Sequence, residues 1–357
     1  MEKDGERQLN IGQIAKRANV STATVSRTIN QSGAVKAETA RKVWRAAAEL
    51  NYYPNSHARA LVSGRSRMLG LIVSDITNPF FTAVARAVED TAQEAGYTLV
   101  LCNSDERLVK ERAYLAVLRE NRVDGIILAA TTTETAHVEP LIGAGIQLVL
   151  IDRGVPDLSV PSVQVDNFGG MYEATNYLLA LGHHRIALIA GGMAISTAQE
   201  RQEGFEAALQ DAGIDFTGAG EARIVDGGLS IQGGHDAALQ LWDHPDRPTA
   251  IVAWSNVTTT GLLLALHERG VHVPDDVSII GFDDLPQFVF LDHSITVVEQ
   301  PTYEMGRQAC QFLVRLLDEE VPVPAGDARV RLPARLVVRD SCRPLLASNP
   351  ETAVAHA

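Results

Sequence analysis

Apolar positions recur at helical spacing twice between residues 10 and 30, with a break between the two runs. Ile11, Ile14, Ala15 and Ala18 share one face of the first run, and Val25 and Ile29 share one face of the second. Asn19-Val20-Ser21 forms the break, with Asn10 and Ser21 placed to cap the exposed amides that start each helix. A third helix is predicted over 37–50, where Thr39, Val43, Ala46, Ala47 and Leu50 face one way and complete a three-helix core. Asn51-Tyr52-Tyr53-Pro54 should end it, because the residue before a proline is pushed out of the helical region. The outward side of the second helix carries Thr22, Ala23, Ser26 and Arg27, small or hydrogen-bonding groups ending in a cation. A helix–turn–helix lays such a helix in the DNA major groove, although the same spacing also serves ordinary helix packing.

The segment 55–61, NSHARAL, holds helix formers for about two turns, too few to stand alone in water. Arg59 gives it charge and Leu61 one large apolar group. Such a segment either folds against a minor groove, with Leu61 wedging between base steps, or is a linker with Leu61 resting on the next domain.

From Met68 the pattern changes to short apolar runs alternating with amphipathic ones. Strands are predicted at 69–73, 97–102, 125–129 and 146–151, with helices at 78–95, 109–120 and 134–142 between them. After Asp166 a second series follows: helices ending at 181 and spanning 198–212, 231–242 and 257–269, with strands at 186–190, 222–225, 250–253 and 277–281. A strand at 295–298 reads as a crossover. Short strands without polar alternation imply parallel sheets covered on both faces, hence two doubly wound lobes. Ligands of such sheets bind beyond the carboxyl ends of the strands, so the default site is a cleft between the lobes.

Charge sharpens the division. Residues 1–67 hold 12 Lys/Arg against 5 Asp/Glu, a net of +7; the remaining 290 hold 19 against 39, a net of −20. A basic head on an acidic body fits one DNA-facing module. The opening MEKDGERQLN lacks an apolar leader core, and no run approaches the ~18 apolar residues of a membrane span. Cys102, Cys310 and Cys342 are odd in number and widely spaced, which suits reduced thiols. The expectation is a cytoplasmic protein with no membrane partner.

Polar residues gather just past the predicted strand ends: Asp75 and Asn78, Asp152-Arg153, Ser255-Asn256, Asp283-Asp284 and Gln300, with Arg201 near a helix start. Together with Phe80, Phe81 and Trp254 they make a lining suited to a polyhydroxylated ligand, rings against sugar faces. Asn and Asp at these places also cap helices, and each has both readings open. Enzyme readings find little: no G-x-G-x-x-G follows a strand, and neither a P-loop nor a G-x-S-x-G elbow occurs. Gly191-Gly192 reads as a turn, and the adjacent His183-His184 as structural. Asp283-Asp284 has the look of an acid–base pair but has no nucleophile or metal cluster beside it. No enzyme and no cofactor are expected.

With these residues in place, the chain resembles the LacI/GalR family of bacterial transcriptional regulators from about Leu9 to Arg339. The motifs that carry the likeness are NVSTATVSRTIN, ELNYYPNSHARAL, GLIVSDITNPFF, LCNSDE, RVDGIIL, VLIDRG, GHHRIALIAG, RQEGF and VPDDVSIIGFDD, in the family's order. The resemblance implies a helix-turn-helix DNA-binding domain at 8–54, a hinge helix and linker at 55–67, and a two-lobed, periplasmic-binding-protein-like α/β effector and dimerisation domain at 68–340. A short disordered tail at 341–357 is expected after it. It implies a repressor that binds a palindromic operator as a homodimer and answers to a sugar, sugar derivative or nucleoside. By position, Thr22, Ala23 and Arg27 match the base-reading residues and Leu61 the minor-groove leucine. Ile11, Ser21, Thr24, Ser26, Asn30, Asn55, His57 and Ala58 complete the expected DNA-facing set. Phe80, Asp152, Arg153, Arg201, Asp283 and Gln300 match the ligand-contacting positions, to which Asn78, Phe81, Trp254 and Ser255 are added from the strand-end reading. Two departures stand out: Ser255-Asn256 replaces the family's usual Asn-Asp, and an aromatic often found near Leu229 is missing. The tail carries Pro344 and Pro350 and no leucine heptads, so a dimer rather than a tetramer is expected.

Overall fold

The computed structural model describes residues 11–30, 33–52, 65–216, 222–318 and 329–345. They divide into a unit ending at Arg67 and a larger one beginning at Met68.

In the first unit, α1 (Ile11–Ala18), α2 (Thr22–Asn30) and α3 (Ala37–Glu49) bury Ile14, Val25, Ile29, Val43, Ala46 and Ala47 in one small core. Asn19 adopts a left-handed φ of 53°, letting the Val20 amide reach back to the Ala15 carbonyl at 3.0 Å and stop α1. Two residues later the Ser21 hydroxyl accepts the Thr24 amide at 3.1 Å and starts α2. Arg17 and Glu49 pair at 2.6 Å across the bundle. The end of α3 differs in cause from the expectation: Asn51 turns left-handed, φ 48°, and the Tyr52 amide caps Ala47 at 2.9 Å. Pro54 lies outside the described residues.

The second unit is two sheets wrapped by helices. The first-lobe strands are β1 (Met68–Val73), β2 (Thr98–Asn103), β3 (Gly125–Leu128), β4 (Gln147–Ile151) and β5 (Ser162–Val165). Between them run α4 (Pro79–Glu94), α5 (Leu108–Glu120) and the five-residue α6 (Glu139–Gly143), shorter than the predicted 134–142. The second lobe follows with α7 (Asn167–Ala180), β6 (Ile186–Ala190), α8 (Ser196–Asp211), β7 (Arg223–Asp226), α9 (Ile231–Trp242), β8 (Ala250–Ala253), α10 (Asn256–Glu268), β9 (Ser278–Phe282) and β10 (Thr296–Glu299). The chain then supplies α11 (Thr302–Leu317), β11 (Arg329–Leu332) and β12 (Arg335–Val337).

The sheet orders are β11-β5-β4-β3-β1-β2 and β12-β10-β9-β8-β6-β7, every pair parallel except β12 with β10. The chain therefore crosses between lobes three times: after β5, after β10, and between β11 and β12. Helix α11 returns to pack on α4, β3 and β4 of the first lobe. Gly306 permits the approach, since a Cβ there would stand 2.5 Å from the Val84 carbonyl oxygen.

The sequence reading left out β5, α11, β11 and β12, and its tail begins too early. Ser341 is fully buried and its hydroxyl donates to the Ile279 carbonyl at 2.6 Å. Arg343 pairs with Asp275 at 2.8 Å, and the Leu345 amide reaches the Leu181 carbonyl at 2.8 Å. Residues 341–345 are thus a strap on the second lobe. His183, buried beneath it, bonds Thr249 and the Arg343 carbonyl, each at 3.0 Å, which is the structural role expected of it.

Candidate functional site

Two surfaces answer to the predicted site residues. On the first unit, Ser21, Thr22, Ala23 and Arg27 are exposed, while Ile11, Thr24 and Ser26 are partly covered. Val25 and Ile29 turn inward as their i, i+4 spacing predicts, so Thr22, Ala23 and Arg27 on the opposite side of α2 face outward. Asn30 closes the same helix. Asn55, His57, Ala58 and Leu61 lie outside the described residues, as does the Asn10 cap.

All ten predicted effector residues line one cleft between the two lobes of the second unit. It encloses about 540 Å³ open to solvent, bounded by Asn78, Phe80, Phe81, Asp152, Arg153, Arg201, Trp254, Ser255, Asp283 and Gln300. Asp75, Glu106, Thr197, Leu229 and Val257 complete the wall.

Local folding explains how each side chain arrives. Asn78 caps α4 through the Phe80 amide at 3.0 Å, and its same side-chain oxygen accepts the Asn256 amide at 2.8 Å from the opposite lobe. Ser255 forms a capping box with Thr258 at the start of α10. Helix capping and cleft lining are therefore not alternatives here; the same residues do both. Phe80 and Phe81 meet edge to face, centroids 4.9 Å apart. Asp152 and Asp283, each just past a strand end, take left-handed φ values of 66° and 71°, a conformation Asp tolerates better than most residues. That turn points both carboxylates into the cleft wall, where each is less than a tenth exposed.

Arg153 grips Glu106 through two bonds of 2.7 and 2.6 Å and the Ala130 carbonyl at 3.2 Å. Arg201 donates to Asn167 at 2.8 Å and to the Trp254 carbonyl at 2.6 Å, with its guanidinium 3.6 Å above the Phe282 ring. The Trp254 indole donates to the Gly228 carbonyl at 3.0 Å and fills the room that Gly191 leaves; a Cβ at Gly191 would stand 2.3 Å from the ring. Gln300 donates to Asp283. Lobe-to-lobe contacts include the Gly154 amide to Ser196 at 2.9 Å and Arg331 to Glu200 at 2.8 Å.

Burial pushes the Asp152 carboxyl up to about 6, with Arg153 and Arg201 pulling it down. Burial likewise raises Asp283, against Arg201, the Gln300 amide and the Asn256 backbone N–H. It lowers Arg201, which Asp283 and Asp152 oppose. Burial also works against the Arg153 charge, but the fork onto Glu106 outweighs it and holds that guanidinium above its usual value. In the cleft wall, Arg153 Nε and Gln300 Oε1 are buried without a hydrogen-bond partner, the former 3.5 Å from an Asp152 oxygen. Sequence reasoning missed Glu106, Thr197 and Val257; of these Glu106 follows β2 within the quoted LCNSDE, the same strand-end signal that marked the others.

A family model described as periplasmic binding proteins and sugar-binding domain of the LacI family matches residues 66–336, and one for bacterial regulatory proteins of the lacI family matches residues 10–55. A ribose operon repressor from Halalkalibacterium halodurans is 37% identical, covering 93% of this chain and 97% of its own. A LacI-family transcriptional regulator from Enterococcus faecium with bound ribose is 30% identical, with a TM-score of 0.71 over 78% of this chain and 99% of that one. The lac repressor dimer bound to operator and an anti-inducer is 25% identical, with a TM-score of 0.80 over 94% and 99%.

Proposed function

Because the chain belongs to the LacI family of bacterial regulatory proteins, regulators rather than enzymes, we propose that it is a repressor whose operator affinity is set by a neutral, ribose-class sugar in the interlobe cleft. The observation that carries this is the charge of the wall. Four carboxylates (Asp75, Glu106, Asp152 and Asp283) face two guanidinium groups, and both of those are already engaged by protein oxygens. That excess of negative charge repels an anion, whereas a neutral sugar's hydroxyls can donate to the carboxylates and accept from guanidinium N–H groups. The indole of Trp254 and the rings of Phe80 and Phe81 offer apolar surface for a sugar face. The ribose names carried by two of the relatives agree with this size and polarity.

Thr22, Ala23 and Arg27 of α2 would read base edges, with Ile11, Ser21, Thr24, Ser26 and Asn30 around them. Asn55, His57, Ala58 and Leu61 would follow the backbone into the minor groove. A homodimer on a palindromic site is supported by apolar side chains left uncovered on each lobe: Leu101 and Val117 near the β2 edge, and Leu264, Phe290 and Leu291 on the second lobe, Phe290 being 85% exposed. Sugar bound between the lobes would strengthen bridges such as Asn78–Asn256 and change how two copies meet. The coupling is of order 1–3 kcal/mol and reciprocal, so operator DNA shifts sugar affinity by the same factor.

Gel-shift titration on the DNA upstream of the protein's own gene, with and without pentoses and hexoses, tests this. Binding that a pentose alters supports it, and indifference to every duplex at low salt sinks it. In the same assay Arg27→Ala should cost about 1–3 kcal/mol and relax one base position; a uniform loss over all sequences would make it a phosphate contact instead.

A further inference from the structure

We propose that Glu111 and His137, neither of which touches the cleft, are positioning residues that aim Arg153 into it. Glu111 lies on α5 and is fully buried. A carboxylate is costly to bury unless its oxygens are engaged, and both are. Oε2 accepts the Thr131 amide at 2.8 Å, and Oε1 accepts His137 Nε2 at 2.5 Å. The Thr131 amide and the Ala130 carbonyl belong to one planar peptide group. Glu111 holds the N–H end of that plane, and Arg153 donates to its C=O end at 3.2 Å. Carboxylate and guanidinium thus grip one peptide dipole from opposite ends, each polarising it in favour of the other. Without Glu111 the plane is free to rotate about its flanking bonds, and the carbonyl that fixes one arm of the guanidinium swings away. Glu106 then holds Arg153 from one side only, and the guanidinium loses its fixed orientation in the cleft wall. His137 braces the Glu111 oxygen that the peptide does not use.

This inference rests on the cleft reading, and the test separates the two. In the full-length protein, calorimetric titration with D-ribose compares wild type, Glu111→Ala, Glu111→Gln and His137→Ala. Glu111→Ala should weaken ribose binding about tenfold, while operator affinity without sugar stays as in wild type. Glu111→Gln, whose side-chain oxygen still accepts the Thr131 amide, should recover affinity to within about threefold of wild type. Combining Glu111→Ala with Glu106→Gln should give losses that do not simply add, since both act on one guanidinium. Unchanged affinity in Glu111→Ala, equal losses in the Ala and Gln variants, or plain additivity with Glu106→Gln each overturn the proposal. If Glu111→Ala does not fold, His137→Ala carries the test, with a loss of about threefold expected and none overturning it. A wild type that binds no ribose overturns the cleft reading, and this inference with it.

Discussion

The two lobes repeat one sheet order, so the end of β4 in one corresponds to the end of β9 in the other. Each ends in a buried aspartate with a left-handed backbone, Asp152 and Asp283, raised by the same burial. The next residues diverge. Arg153 turns back to Glu106 and sits beside Asp152, its Nε 3.5 Å from that carboxylate, whereas Asp284 pairs directly with Arg339, which also donates to the Ile295 carbonyl, away from the cleft lining. The second lobe borrows its cation from a helix instead, through Arg201 on α8. A repeated backbone places equivalent carboxylates, and what differs between the walls is how the neighbouring positive charge is brought to them.

Exchanging that difference for uniformity gives the largest effects. Asp283→Ala should weaken sugar binding by about 100-fold, the loss expected if the carboxylate accepts from sugar hydroxyls, with sugar-free operator binding intact. Retained sugar response in a gel shift would break the comparison. Arg201→Ala comes next: it strips Asp283 of its cation and leaves the Asn167 oxygen and Trp254 carbonyl without their donor, costing about 3 kcal/mol in denaturant titration. The smallest effect is in pH. Asp152 binds its proton more tightly folded than unfolded, so its contribution favours folding most below the ordinary carboxylate value of 3.8 and declines as pH rises to about 6. Sugar affinity should rise over the same window as the carboxylate ionises, and Asp152→Asn should flatten both slopes. Slopes unchanged in that variant would assign them to Asp283.

The cleft was more legible than the fold around it. Asp152, Asp283 and Gln300 announce themselves because a polar residue after an apolar run has few places to go but the strand's carboxyl end. Ser-Val-Gln-Val, the whole of β5, the charged alternation of β11 and the three-residue β12 are too short or too polar to stand out, and their strand character comes from neighbours elsewhere in the chain. Helix α11 buries Met305, Ala309, Phe312 and Leu313, but nothing in that spacing says that its partner is the lobe left behind at residue 165. Glu106 escaped for a related reason: its partner lies 47 residues away.

The return of α11 has a consequence for synthesis. A ribosome that has finished β5 has made most of the first lobe's sheet, yet the helix that covers β3 and β4 emerges only after five of the second sheet's six strands, β6 to β10. Val84, Ile127 and Val149 must wait for Met305 and Leu313. The first lobe is translated early and sealed late, so it is this half whose apolar surface a stalled or truncated message leaves uncovered.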